Sequence, residues 1–128
     1  MMDKPVTADM FLAGHIDFAA FRHADHVRVG FQLLKTNDFS TALYKFSVGL
    51  KALAARAGTP DAYHQTITLA FLALIAERSA KGCFDNADEF LSSNPDVMDK
   101  TLLERWYTPD RLNSDIARRI FILPEAIR

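Results

Sequence analysis

Three histidines, a tyrosine and a threonine carry the chemistry this chain could perform. His23 and His26 stand three residues apart in Phe21-Arg22-His23-Ala24-Asp25-His26-Val27. Tyr63 and His64 open the run Tyr63-His64-Gln65-Thr66-Ile67-Thr68. Residues at i and i+3, or i and i+4, share a helix face. The rings of His23 and His26 therefore converge, and His64 stacks on Thr68 with Tyr63 beside it. Packing of the two segments against each other, assumed at this level, would gather all five side chains in one ligand-binding pocket.

Three chemistries compete for that cluster. Neutral imidazoles of His23, His26 and His64 could hold a divalent transition metal such as zinc, leaving a position open for water or substrate. His26 or His64 could serve as a catalytic general acid or base, oriented by Tyr63 or Thr68. The third reading is a buried hydrogen-bond network in which the histidines satisfy one another, Thr68 and helix-end backbone groups. The HExxH helix, the Glu-x-x-His pair of di-iron bundles, and any carboxylate or cysteine to complete a shell are absent from the cluster, so metal ranks last. His15 reads as an exposed ring. The chain also lacks a Gly-rich phosphate loop, a GxSxG elbow and a Cys/His nucleophile pair close in sequence.

The elements that must position these residues are helical. Thr59-Pro60-Asp61 is a helix-opening signal, with Thr59 as N-cap, proline at the first helical position and an acid near the positive end of the dipole. From Ile67 to Ala76 only Thr68 interrupts the apolar run. A helix that is apolar all round is buried on most sides, and this one is too short for a membrane span of about 20 residues. The spacing predicts this central helix over about 60–80, ending before Gly82. A second helix is predicted from about Arg22 to Lys35, with Gly30 on its inner face leaving room for another helix. Its polar residues Arg22, Asp25, Arg28 and Gln32 are assigned to solvent. Ser40 is read as the cap of a third helix that stops at Gly58. Shorter helices are expected at Asn86–Leu91 and Pro95–Trp106, with Thr108 and Ser114 as further caps. Ile120-Phe121-Ile122-Leu123-Pro124 reads as an extended strap. No window keeps a two-residue alternation and no repeat recurs. The expected fold is all-α, a single compact helical domain over 1–128 with residues 1–17 as its loosest part.

Composition sets the function classes. The 128 residues are 49% hydrophobic and 24% charged, with a formal net charge of -1. That is a globular chain, and it lacks the basic field of a dedicated nucleic-acid binder. Asp85, Asp88, Glu89, Asp96 and Asp99 read as a solvated acidic face. Cys83, the single cysteine, rules out an internal disulfide, suits a reducing cytoplasm and reads as a small buried hydrophobe. The start of the chain has no basic-then-apolar leader. The expected partner is a small molecule, with no nucleic acid and no membrane; association into a homo-oligomer stays open.

Phe21-x-His23-x-x-His26-Val27, Tyr63-His64-x-Thr66-Ile67-Thr68, Asn94-Pro95-Asp96 and Phe121-Ile122-Leu123-Pro124 together resemble an uncharacterised bacterial family of small helical proteins, over about Phe18 to Pro124. The resemblance implies a helical fold and brings no activity, cofactor or catalytic assignment. The functional expectation is a cytoplasmic protein with a histidine-lined pocket for a small ligand or metal, with acid–base catalysis by histidine as one use of it. The alternative is a non-enzymatic helical interaction domain whose histidines hold two helices in register.

Overall fold

Leu72 and Ile75 meet Gly30 where the two central helices cross. A Cβ on Gly30 would lie 3.3 Å from the terminal methyl carbons of both residues. The computed structural model describes residues 6–126, and its α-helices in chain order are α1 (Ala8–Leu12), α2 (His23–Thr36), α3 (Phe39–Arg56), α4 (Gln65–Lys81), α5 (Ala87–Ser93), α6 (Pro109–Leu112) and α7 (Asp115–Arg119). No strand occurs among the described residues. The fold is all-α, with the elements packed together in one domain.

Helix α2 lies between two apolar clusters. Val27 and Phe31 face Phe71, Ile75 and Phe90, while Val29 and Leu33 face Phe46, Leu53 and Leu72. Its polar positions are less solvated than the sequence pattern predicts. Half-buried Arg28 pairs with Asp88 of α5 at 2.7 Å, and Gln32 accepts the Ala8 N–H at 2.6 Å. That second bond ties down α1, which Thr7 caps by accepting from the Met10 N–H.

Residues 8–12 are thus packed into the domain as a short helix; Met1–Pro5 lie outside the described residues. Phe11 fixes the attachment. Its ring sits on the bare backbone of Gly49, where a Cβ would come within 2.2 Å of the ring. Gly49→Ala should therefore expel Phe11 and lower stability by about 1–3 kcal/mol, the usual cost of overpacking. Chemical denaturation with a probe on α1 would check this, and an unchanged midpoint would refute it.

Several boundaries differ from expectation for identifiable reasons. Asp38, not Ser40, caps α3 by accepting from the Thr41 N–H at 2.8 Å. The Thr59 hydroxyl donates to the Ala54 carbonyl at the end of α3 and makes no capping bond to the turn that follows. Pro60–Ala62 closes only a 3₁₀ turn, Tyr63 and His64 are extended, and α4 begins at Gln65. The segment 95–106 is not one helix. It divides into 3₁₀ turns Pro95–Met98 and Leu102–Arg105, because the Asp99 carboxylate binds both the N–H and the hydroxyl of Thr101 and closes a turn between them. Cys83 is exposed, since Phe84 folds onto the backbone of Gly82 and takes the inward place.

The tail is an extended strap, as expected. Fully buried Thr66 donates its hydroxyl to the Ile120 carbonyl at 2.8 Å and accepts the Ile122 N–H at 3.2 Å. Tyr107 donates to the Ile122 carbonyl at 2.8 Å. Two side chains thereby supply the partners a strand would otherwise need. Among the described residues no helix is long and apolar enough to cross a membrane.

Candidate functional site

The first turn of α2 begins at Arg22, whose backbone N–H is held by the Asp25 carboxylate at 2.9 Å. That bond orients the turn so that His23 and His26 project toward the start of α4. Between α2, α3 and α4 lies a cleft of about 670 Å³, within the range of small-molecule sites. Phe46, Leu50 and Leu53 of α3 and Phe71 of α4 form apolar walls. His23, His26, Tyr63, His64 and Thr68 all line it, and exposed Arg22 and Lys100 stand at its margin.

The imidazoles are held apart from one another. His23 and His26 ring centroids are 6.4 Å apart, with His23 edge-on to Phe71 at 5.0 Å and His26 against Phe21 at 4.4 Å. Each ring bonds to backbone. His23 Nε2 lies 2.8 Å from the Val97 carbonyl, His26 Nδ1 lies 3.0 Å from the Arg22 carbonyl and His64 Nε2 lies 2.7 Å from the Leu112 carbonyl. A carbonyl only accepts, so each of those nitrogens carries the proton.

His64 has a role the sequence pattern did not suggest. It is the N-cap of α4, with Nδ1 accepting the Ile67 N–H at 3.1 Å while Nε2 donates to Leu112. Both nitrogens are engaged, which holds one neutral tautomer, and burial pushes its pKa below the usual value. His64 therefore does not present a lone pair for proton transfer or for a metal. Nor does it stack on Thr68 as a helical i+4 neighbour: the Thr68 hydroxyl donates to the His64 carbonyl at 2.7 Å. Proline and the Thr59 cap pointed to a helix start several residues too early, and the stacking inference came from that.

The zinc shell of His23, His26 and His64 is not assembled. Among the described residues no three side chains of His, Cys, Asp and Glu are grouped to hold a metal ion. The physical reason is local: His64 is saturated by Ile67 and Leu112, and His23 is turned to Val97.

His26 is different. Its Nδ1–H is engaged and its Nε2 has no partner among the described residues. Burial lowers its pKa, with the nearby His23 and Lys100 acting in the same direction against the Arg22 carbonyl and Asp25. The ring is held neutral with an open lone pair. Tyr63 is raised in pKa by burial, donates to Gln65 Oε1 at 2.7 Å and lies under the Lys51 ammonium at 5.2 Å. His15 is exposed. Arg22 and Lys100 were missed as cleft residues. Arg22 adjoins His23 and could have been found, whereas Lys100 arrives from a distant turn with no local signal.

No family model matches the chain, and no curated protein or solved structure is detectably similar to it.

Proposed function

We propose that this chain is a cytoplasmic small-molecule-binding protein of the bacterial family that its motifs resemble, with His26 as the group that exchanges a hydrogen bond or a proton with the ligand. The observation that carries this reading is the open Nε2 of a half-buried, neutral His26 facing a cleft of about 670 Å³. A base must be neutral and within reach of the proton it takes, and His26 meets the first condition without help from a ligand. His64 builds the cleft by starting α4, and Tyr63 and Thr68 supply hydroxyl oxygens along its wall.

A fragment screen followed by two-dimensional amide NMR tests the reading. Shifts should concentrate in the first turns of α2 and α4. His26→Phe, which keeps an aromatic ring against Phe21, should weaken the hits while costing less stability than His64→Ala. A library that moves no amide lining the cleft would sink it.

A second reading has its own observation in support. The bonds from His23 to Val97 and from His64 to Leu112 span 74 and 48 residues of chain and join α2 and α4 to the C-terminal turns. A non-enzymatic helical interaction domain would use those two histidines as interior ties. Under that reading His23→Phe destabilises the fold, and His26→Phe alters neither stability nor small-molecule binding.

A further inference from the structure

The polar side chains of the cleft interior have one property in common. Each has its proton engaged by the protein. His23 Nε2–H goes to Val97, His26 Nδ1–H to Arg22, His64 Nε2–H to Leu112, the Thr68 hydroxyl to His64, and the Tyr63 hydroxyl to Gln65. A neutral imidazole has one donor and one acceptor, and a hydroxyl has one donor and two acceptor sites. What remains for a ligand is lone pairs, at His26 Nε2 and the oxygens of Tyr63 and Thr68.

His26 Nε2 is open to water in the free protein, since it is not among the buried atoms without a partner, and a ligand that covers it must bring a donor of its own or leave the lone pair unsatisfied. Two further features narrow the class. No Asp or Glu is among the cleft-lining residues, so a cationic donor such as an ammonium meets no direct carboxylate partner there, Asp25 and Asp99 acting on His26 and His23 only from outside the lining. Arg22 and Lys100 at the margin oppose a cation as well, and among the described residues neither makes an ion pair. The apolar walls supply phenylalanine and leucine surface for a ring or short chain.

We infer that the cleft takes a neutral apolar molecule carrying a hydroxyl or N–H donor, of the phenol class, with that donor directed to His26 Nε2. The inference rests on the proposed ligand-binding role and adds the polarity of the ligand. A carboxylate entering the interior would meet lone pairs rather than donors, and would bind only at the Arg22–Lys100 margin. A methyl ether of the same size would bury against the apolar walls but leave His26 Nε2 without a partner.

One scaffold with four head groups tests this. Amide NMR titrations of the full chain at pH 7.5 would use 4-propylphenol, 4-propylanisole, 4-propylbenzoate and 4-propylbenzylammonium. The phenol should bind at least about tenfold more tightly than the anisole, the factor expected for one well-formed hydrogen bond. The His26 Nε2 resonance should move with the phenol alone. His26→Phe should remove the phenol's advantage over the anisole, because the lone pair that separates the two is gone, and the imidazole resonance of the parent protein keeps the test decisive if that variant fails to fold. Equal binding of phenol and anisole overturns the inference and leaves the ligand-binding reading standing. Tightest binding by the benzoate or the ammonium also overturns it, in favour of a charged ligand. If no probe perturbs a cleft residue, the ligand-binding reading and the inference fall together.

Discussion

Leu72→Ala should lower stability by about 2–5 kcal/mol, the range for deleting a fully buried leucine where the surroundings cannot close the gap. Leu72 is 0% exposed, contributes to the cluster that holds Phe46 and Leu53, and meets Gly30 at the α2–α4 contact. Gly30 has no side chain that could move into the space. Equilibrium denaturation in urea measures the loss as a shift in midpoint at constant m. Leu74, on the same helix but half-buried, provides the internal comparison: its alanine variant should cost distinctly less. Equal losses at the two positions would contradict the packing described.

His64→Ala should cost about 2–4 kcal/mol. Removing an N-cap costs roughly 1 kcal/mol, and leaving the buried Leu112 carbonyl without its donor adds about 1–3 kcal/mol. The structural role also sets a pH dependence. Burial places the folded-state pKa of His64 below its unfolded value of about 6.5. The unfolded chain then takes up a proton that the folded chain resists. The stabilisation is fully present above pH 6.5 and is lost as the pH falls from there through the folded pKa. Protonation would also remove the lone pair that caps Ile67. His26 is shifted in the same direction and adds to the slope. Denaturation midpoints between pH 7.5 and 5 should decline, and His64→Ala should flatten the decline. A profile identical in parent and variant would refute the capping role.

His64 is also where sequence and structure divide most clearly. Periodicity treated it as a residue on a helix face, because Thr59-Pro60-Asp61 carries all the local marks of a helix start. Thr59 stands at the start of only the 3₁₀ turn, and its hydroxyl donates to the Ala54 carbonyl at the end of α3 while accepting no backbone N–H of that turn. The chain reaches Thr59 through the Gly58 turn, where the backbone enters the left-handed region at φ 75°. The ring of His64 then takes the capping position. The sequence contained both candidates and no means of ranking them.

By itself the sequence determined the helical class, the inward face of α2, the burial of α4 and the extended tail. Each of these comes from the spacing of apolar residues along a short stretch, which is what helix periodicity reports. Gly30 marked the helix crossing for the same reason: a missing Cβ on an apolar face admits a neighbour. The residues that line the cleft were also legible, since His23, His26, Tyr63, His64 and Thr68 all lie in segments that had to turn inward. What the tertiary structure decided was the state of each of those groups. Val97, Leu112 and Lys100 come from turns far along the chain, and their arrival engages His23, saturates His64 and adds a cation beside His26. Whether an imidazole is a cap, a tie or an open base depends on which carbonyl reaches its ring, and carbonyls carry no mark in the sequence.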